Sequence, residues 1–322
     1  MEPRNLNQSL INRKKTAGGI ILNPGCALSC VFCGGLKKPA ELEIKEQAIR
    51  AYKNLENLKE KGYKRISISG SDPIEYKYIT ELIRYIKEEA GFEWVQLSTH
   101  GVRLADSSFL RKLILSGVDE LRMPLYGSTA KIHDSVTQKR GSFNKIITGI
   151  KNLLKRTNRI QILISCLILK QNKNDLLNIV NLVDRLGIKY FYFSIPCLTA
   201  NLSQNYSSFY IPFKDLVPYA RKLYNYALKI NNKIFFLEIP FCIFGVFNPE
   251  NIRNTSLPPD LGKYCQPPKP YKTSVPDLPS YRLKKKIKMC EHCKALSQCD
   301  GFFCNDIDRY GTGKLKPISS KK

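Results

Sequence analysis

The chain has 322 residues, enough for one large α/β domain with an appended module or for two domains. It is 43% hydrophobic and 10% aromatic, which excludes a disordered chain, and no apolar run reaches the roughly 18 residues of a membrane span. The formal net charge of +25 admits a polyanion such as RNA, but the lysines spread along the helical segments without interleaved aromatics, so a solvated lysine-rich surface is favoured.

The opening "MEPRNLNQSLINRKK" is basic with no apolar stretch after it, so it does not read as a secretory signal, and a cytoplasmic protein is expected. "GGIILNPG" (18–25) reads as a short apolar strand. Directly after it, "GCALSCVFCGG" carries Cys26, Cys30 and Cys33. A helical pattern follows over 44–62, then a strand at 65–70, a helix at 76–91 and a strand at 94–101. A helix over 107–117 is expected to open on a serine cap and close on glycine. Strand and helix alternate again at 120–127 and 143–156, 160–169 and 175–187, and 189–196 and 214–231, with Pro218 near the start of the last helix. Six βα units imply a parallel sheet, either open and doubly wound or a partial barrel. Both place chemistry at the carboxyl ends of the strands, where the three-cysteine loop lies.

From about residue 232 the texture changes. One more strand is expected over 233–245, followed by an irregular proline-rich stretch over 254–281 that needs an external staple. Eleven cysteines are present, with Cys290, Cys293, Cys299 and Cys304 close together near the end. In a reducing compartment such groups point to metal rather than to disulfides. Cys166 and Cys197 sit in apolar strands and read as packing residues. The division expected is an N-terminal segment (1–17), an α/β domain (18–231) and a cysteine-rich extension (232–322).

The first motif is C-x3-C-x2-C. Thiolates suit zinc or an iron–sulfur cluster. A structural zinc site wants four ligands, and this loop offers three. A four-iron cubane held by three thiolates leaves one iron open to a substrate or cofactor.

Here the chain resembles the radical S-adenosylmethionine (radical SAM) superfamily. The resemblance is carried by "CALSCVFC" with Phe32 before the last cysteine, by "GSDP" (Gly70–Pro73) where that family has Gly-Gly-Glu-Pro, and by "STHG" (98–101). "RMPLYGSTAKIHD" and "RGSFNKIITGIKNL" are similar to its fourth βα unit. It implies a partial (β/α)6 TIM-like barrel of parallel strands with a C-terminal twitch or SPASM-like extension. It further implies that Cys26, Cys30 and Cys33 hold a [4Fe-4S] cluster whose fourth iron chelates S-adenosylmethionine. Gly70, Ser71 and Asp72 would meet the methionine amino group, with Phe32, Ser98, His100 and Asn172 around the cofactor; Asn174 is the alternative to Asn172. Ser71 and Asp72 replace the family's glycine and glutamate, and Pro124 stands where a serine is common.

"CEHCKALSQCDGFFCNDIDRYG" (290–311) resembles the auxiliary iron–sulfur motif of that extension. Cys290, Cys293 and Cys299 are its firm ligands, with Cys242 preferred as the fourth over Cys265, and Cys304 unassigned. Structural zinc, with His292 or another cysteine, is the rival reading of this group.

The expected activity is reductive cleavage of S-adenosylmethionine and hydrogen abstraction from a peptide or protein side chain. Modification of RNA or a small metabolite, and a non-catalytic zinc scaffold, are the alternatives. Expected partners are the peptide substrate and an external electron donor such as flavodoxin or ferredoxin, with RNA not favoured and no membrane. His133 is either a general acid or base or, preferably, a helix or loop cap beside Asp134. Arg122 and Tyr126 are candidates to face the barrel mouth, and no residue is assigned to quench the substrate radical.

Overall fold

The computed structural model describes residues 17–33, 40–196, 206–230, 233–253 and 284–319. Cys197 and Cys265, named above, lie outside them. Eight strands form one sheet: β1 (Ala17–Leu22), β2 (Arg65–Gly70), β3 (Trp94–Ser98), β4 (Glu120–Pro124), β5 (Gln161–Leu167), β6 (Tyr190–Ser194), β7 (Lys233–Leu237) and β8 (Ile252–Arg253). Their order in the sheet is their order in the chain, and every neighbouring pair is parallel. A doubly wound sheet reverses direction at a switch point. This sheet never reverses, so the partial barrel is the architecture; β7 is the further strand expected from residue 233, and β8 was not expected.

The crossovers are α1 (Glu41–Glu60), α2 (Ile79–Glu88), α3 (Ser107–Leu115), α4 (Ala130–Thr137), α5 (Ser142–Arg156), α6 (Leu176–Arg185), α7 (Tyr206–Phe209) and α8 (Phe213–Ala227). On α1, Gln47, Ala51, Leu55 and Leu58 are buried. That spacing puts them on one helical face. The cap of α3 is Asp106, which accepts from the Ser108 and Phe109 N–H groups, and not the expected serine. A carboxylate there meets two orphan donors and the positive end of the helix dipole. Helix α4 was hidden in what read as one connection between β4 and α5.

Side-chain alternation divides the sheet into two faces. Ile66, Ile68, Leu121, Met123, Phe191 and Phe193 are buried in the apolar core with the helices. The alternate residues Ser67, Ser69, Ser98, Arg122, Ser165 and Tyr192 are half-buried on the concave face. A barrel bore is ordinarily filled by branched apolar residues. A polar bore is suited to a ligand.

The extra strand stops at Leu237, well short of the expected residue 245. Cys242 rides instead on the short helix α9 (Phe241–Phe244). Beyond it, β9 (Lys284–Lys285) and β10 (Phe302–Phe303) pair antiparallel, and α10 (Cys304–Tyr310) follows. Phe302 packs edge-on against Phe213 of α8 at 5.5 Å, and Phe303 stacks on it at 6.3 Å. Asp306 of α10 is wholly buried, and Tyr210 donates its phenol proton to Asp306 Oδ2. Its Oδ1 is buried with no hydrogen-bond partner.

Burial pushes the Asp306 carboxyl from its ordinary 3.8 up to about 6, against the hydrogen bonds from Tyr210 and the Phe213 N–H. The folded state therefore holds this proton more tightly than the unfolded chain does. The resulting stability is complete below the unfolded value and is lost as pH rises through about 6, a loss on the order of 3 kcal/mol. Asp306→Asn should remove that decline, so that unfolding midpoints of the variant change less than those of the parent between about pH 4 and about pH 7.

Candidate cluster and cofactor site

The three-cysteine loop leaves the carboxyl end of β1 and is fastened on two sides. On one side, Ser71 Oγ donates to the Gly25 carbonyl at 2.7 Å and accepts from the Gly25 N–H at 3.1 Å. The Ser71 N–H donates to Asn23 Oδ1 at 2.8 Å. On the other side, the Ser29 and Val31 N–H groups donate to the Thr137 and Val136 carbonyls at the end of α4, at 3.0 and 2.9 Å. Gly70 has φ +143°, and a Cβ there would lie 1.8 Å from the Leu22 carbonyl oxygen. Only glycine allows β1 and β2 to approach so closely at the site. The substitution of serine for the family's second glycine therefore adds a side-chain clamp immediately ahead of Cys26.

Cys26 and Cys30 are half-buried and Cys33 is exposed. Burial, then Cys33 and Cys26, push the Cys30 thiol up to about 12. Three thiolates so close repel one another, and a bound cationic group would reverse this balance and deprotonate them. Among the described residues, the one group of three ligand atoms mutually within 4.8 Å is Asp72, Glu75 and His100. The cysteine sulfurs are therefore spread wider than the edge of a tetrahedral zinc–thiolate site, ~3.8 Å for Zn–S bonds of about 2.3 Å. The spread fits a multi-iron cluster better than a single ion.

Asp72 and His100 are buried beside Cys26. His100 Nε2 lies 2.5 Å from Asp72 Oδ2, a close contact not aligned as a hydrogen bond. His100 Nδ1 accepts from the Val102 N–H at 3.2 Å, which leaves Nε2 to carry the proton facing Asp72. Asp72 Oδ1 accepts from the Ile74 N–H at 3.3 Å. Both carboxylate oxygens thus face protein groups, and Asp72, expected at the methionine amino group, is paired here with His100. Glu75, which the sequence reading missed, completes this group.

Phe32 meets the Tyr126 ring edge-on at 5.2 Å, and Ser98 Oγ accepts from Gln96 Nε2 at 3.2 Å. His133 is buried between the rings of Tyr126 and Phe143, each at 5.8 Å. Its Nδ1 accepts from the Tyr126 N–H at 3.2 Å. Burial lowers its pKa to about 4, so the imidazole is neutral. The capping expected of His133 is performed by Asp134, which accepts from the Gly141 and Phe143 N–H groups and from Ser142 Oγ at 2.6–2.9 Å. Asn172, expected beside the cofactor, lies in the loop after β5. It is fully buried, accepts from the Leu169 N–H at 2.8 Å and donates to the Leu167 carbonyl at 2.9 Å. Its amide folds the loop after β5, while Asn174 is exposed.

At the far end of the fold, Cys242, Cys290, Cys293 and Cys299 line one small cavity together with Phe302. Burial, followed by Cys299, Cys290 and Cys293, raises the Cys242 thiol pKa. Cys304 begins α10 and does not line this cavity. Gly301, at φ +88°, passes so close to Lys285 that a Cβ would lie 2.1 Å from its carbonyl oxygen. That approach is what brings Cys299 back toward Cys290.

Two tests follow from the clamp and the cavity. Ser71→Ala should lower global stability by about 1–2 kcal/mol, and Ser71→Gly by no less, in denaturant unfolding of the apo-protein. Cys242→Ala should lower the iron content of anaerobically reconstituted protein by about four per chain while sparing the first cluster; an unchanged iron count would exclude Cys242 as a ligand.

A family model for the radical SAM superfamily matches residues 20–183. Among curated proteins, GTP 3′,8-cyclase of Petrotoga mobilis is 26% identical over 200 residues, 60% of this chain and 60% of that protein. AdoMet-dependent heme synthase of Methanosarcina barkeri is 27% identical over 177 residues, 54% of this chain and 49% of that protein. The chain thus spans about half to three fifths of the length of these relatives. Among solved structures, native anSMEcpe with bound AdoMet and Cp18Cys peptide superposes with a TM-score of 0.58 at 14% identity, over 94% of this chain and 93% of that one. Streptococcus suis SuiB bound to precursor peptide SuiA gives 0.53 at 16% identity, over 72% of this chain and 51% of that one. The family match covers just over half of the chain and contains the three-cysteine loop, and the protein belongs to the radical SAM superfamily.

Proposed function

We propose that the protein cleaves S-adenosylmethionine at a cluster held by Cys26, Cys30 and Cys33 and uses the product radical on a peptide or protein side chain. As a radical SAM enzyme, its cofactors are a [4Fe-4S] cluster and S-adenosylmethionine. Together, when bound, they supply a 5′-deoxyadenosyl radical that removes a hydrogen atom from the substrate. The chain's own part is to hold and enclose. The clamped loop presents three thiols at the carboxyl end of a parallel barrel. Gly70 and Ser71 offer backbone carbonyls to an ammonium group, Phe32 and Ser98 border the same space, and His100 with Asp72 supports the loop at Cys26. Cys242, Cys290, Cys293 and Cys299 are proposed to hold an auxiliary cluster. With four protein thiolates that site is closed, which suits electron transfer rather than substrate binding.

The observation that supports a peptide substrate is the extent of the likeness to a peptide-bound enzyme, which runs over nearly the whole chain, cysteine-rich module included. A small-molecule substrate is the second reading. It is supported by the greater sequence identity to enzymes named for GTP and heme chemistry.

Anaerobically reconstituted protein with S-adenosylmethionine and dithionite should form 5′-deoxyadenosine, and Cys30→Ala should not. A Cys30→Ala protein that still forms it would falsify the cluster assignment. A proteolytic peptide pool should raise 5′-deoxyadenosine yield several-fold over the substrate-free rate. Stimulation by a protein-free metabolite extract alone would select the second reading.

A further inference from the structure

The concave face of the barrel carries a cation that the assigned chemistry does not use. Arg122 sits in the middle of β4, and its flanking residues Leu121 and Met123 are wholly buried on the opposite, helix-covered face. Its guanidinium lies over the Tyr192 ring at 5.4 Å. Tyr192 belongs to β6, and β5 separates the two strands. A side chain on β4 reaches a ring on β6 only by crossing the bore, so both residues line the interior. Among the described residues the guanidinium has no carboxylate and no hydrogen-bond acceptor, and its Nε is shut off from solvent without a partner. A half-buried guanidinium with one N–H shut off from water gains from an anion that completes its fork.

The position is adjacent to the cysteine loop. Tyr126 is buried with Phe32 against its ring. Its phenol is pushed well above its ordinary 10 by burial and then by Cys30, Cys166 and Tyr192. Tyr126 thus neighbours both the cysteine loop, through Phe32, and Tyr192. An anion on Arg122 would lie in the bore within one aromatic residue of the first cluster.

We propose that Arg122, stacked on Tyr192, binds a carboxylate of the substrate and so orients the substrate beneath the cofactor. A carboxylate is the expected anion because a stacked guanidinium offers a planar fork of N–H donors that matches it. Phosphate sites draw in addition on free backbone N–H groups or helix N-termini. The strand amides beside Arg122 are engaged in the parallel ladder. For a peptide substrate the group is an acidic side chain or a free C-terminus. The inference rests on the barrel bore being the substrate site of the function proposed above.

Reconstituted holoenzyme can be tested with glutarate as the probe, following the unfolding midpoint at constant ionic strength. Glutarate should raise the midpoint saturably in the parent and at least tenfold more weakly in Arg122→Gln, while Arg122→Lys keeps part of the response. Substrate-free formation of 5′-deoxyadenosine and the dissociation constant of S-adenosylmethionine should change less than about twofold in either variant. An equal glutarate response in Arg122→Gln, or none in the parent, would overturn the proposal. So would a tenfold loss of S-adenosylmethionine affinity, which assigns the arginine to the cofactor's own carboxylate. A response to inorganic phosphate that exceeds the response to glutarate would overturn the choice of carboxylate. Loss of substrate-free cleavage in the parent would instead refute the underlying function.

Discussion

Three mutually repelling thiols must be held together before anything binds them, and the rest of the barrel is arranged around that demand. Apposed thiols gain nothing from one another in the apo-protein, and burial, then Cys33 and Cys26, disfavour the thiolate of Cys30. Their proximity is supplied by neutral hydrogen bonds on either side of the loop. Ser71 fixes the beginning of the loop and the carbonyls of Val136 and Thr137 fix its middle. These contacts come from β2 and α4, so the cysteine loop samples the barrel across three of its units. The parallel topology makes this possible, because every strand delivers its carboxyl end to the same rim.

The polar interior follows from the same arrangement. Alternation places serines, Arg122 and Tyr192 on the concave face while Phe191, Phe193, Leu121 and Met123 knit the sheet to its helices. Stability and chemistry are thereby allotted to opposite faces of the same strands. His133 and Asp134 divide in a similar way. The aspartate ties α4 to α5 through three hydrogen bonds, and the neutral histidine fills the space between two aromatic rings.

The barrel was legible because βα alternation is periodic and local. The first six strands and the longer crossover helices, though not α4 or α7, can be read from apolar spacing, and the cysteine loop from its position after the first strand. What stayed hidden was long-range. Ser71 reads as a strained substitute for glycine, and only its proximity to Gly25 reveals a clamp. Asn172 reads as a polar residue at a strand end, yet its hydrogen bonds close its own loop. The run 233–245 looks like one strand because it is largely apolar, but the chain turns out of the ladder at Glu238, with φ +62°, and a helical turn capped by Pro240 follows. No local pattern tells that Arg122 lacks an acidic partner.

The two cysteine sites also differ in how they are built. The first is carried on a short loop whose ends are already tied to neighbouring strands. The second joins Cys242 to a trio that begins 48 residues later, at Cys290. Closing a long chain segment costs entropy that a short, tethered loop has already given up. Part of the affinity of the second site is therefore spent on bringing distant segments together. With both sites holding iron as proposed, the first would fill ahead of the second under scarce iron, an order of maturation set by the connectivity of the chain.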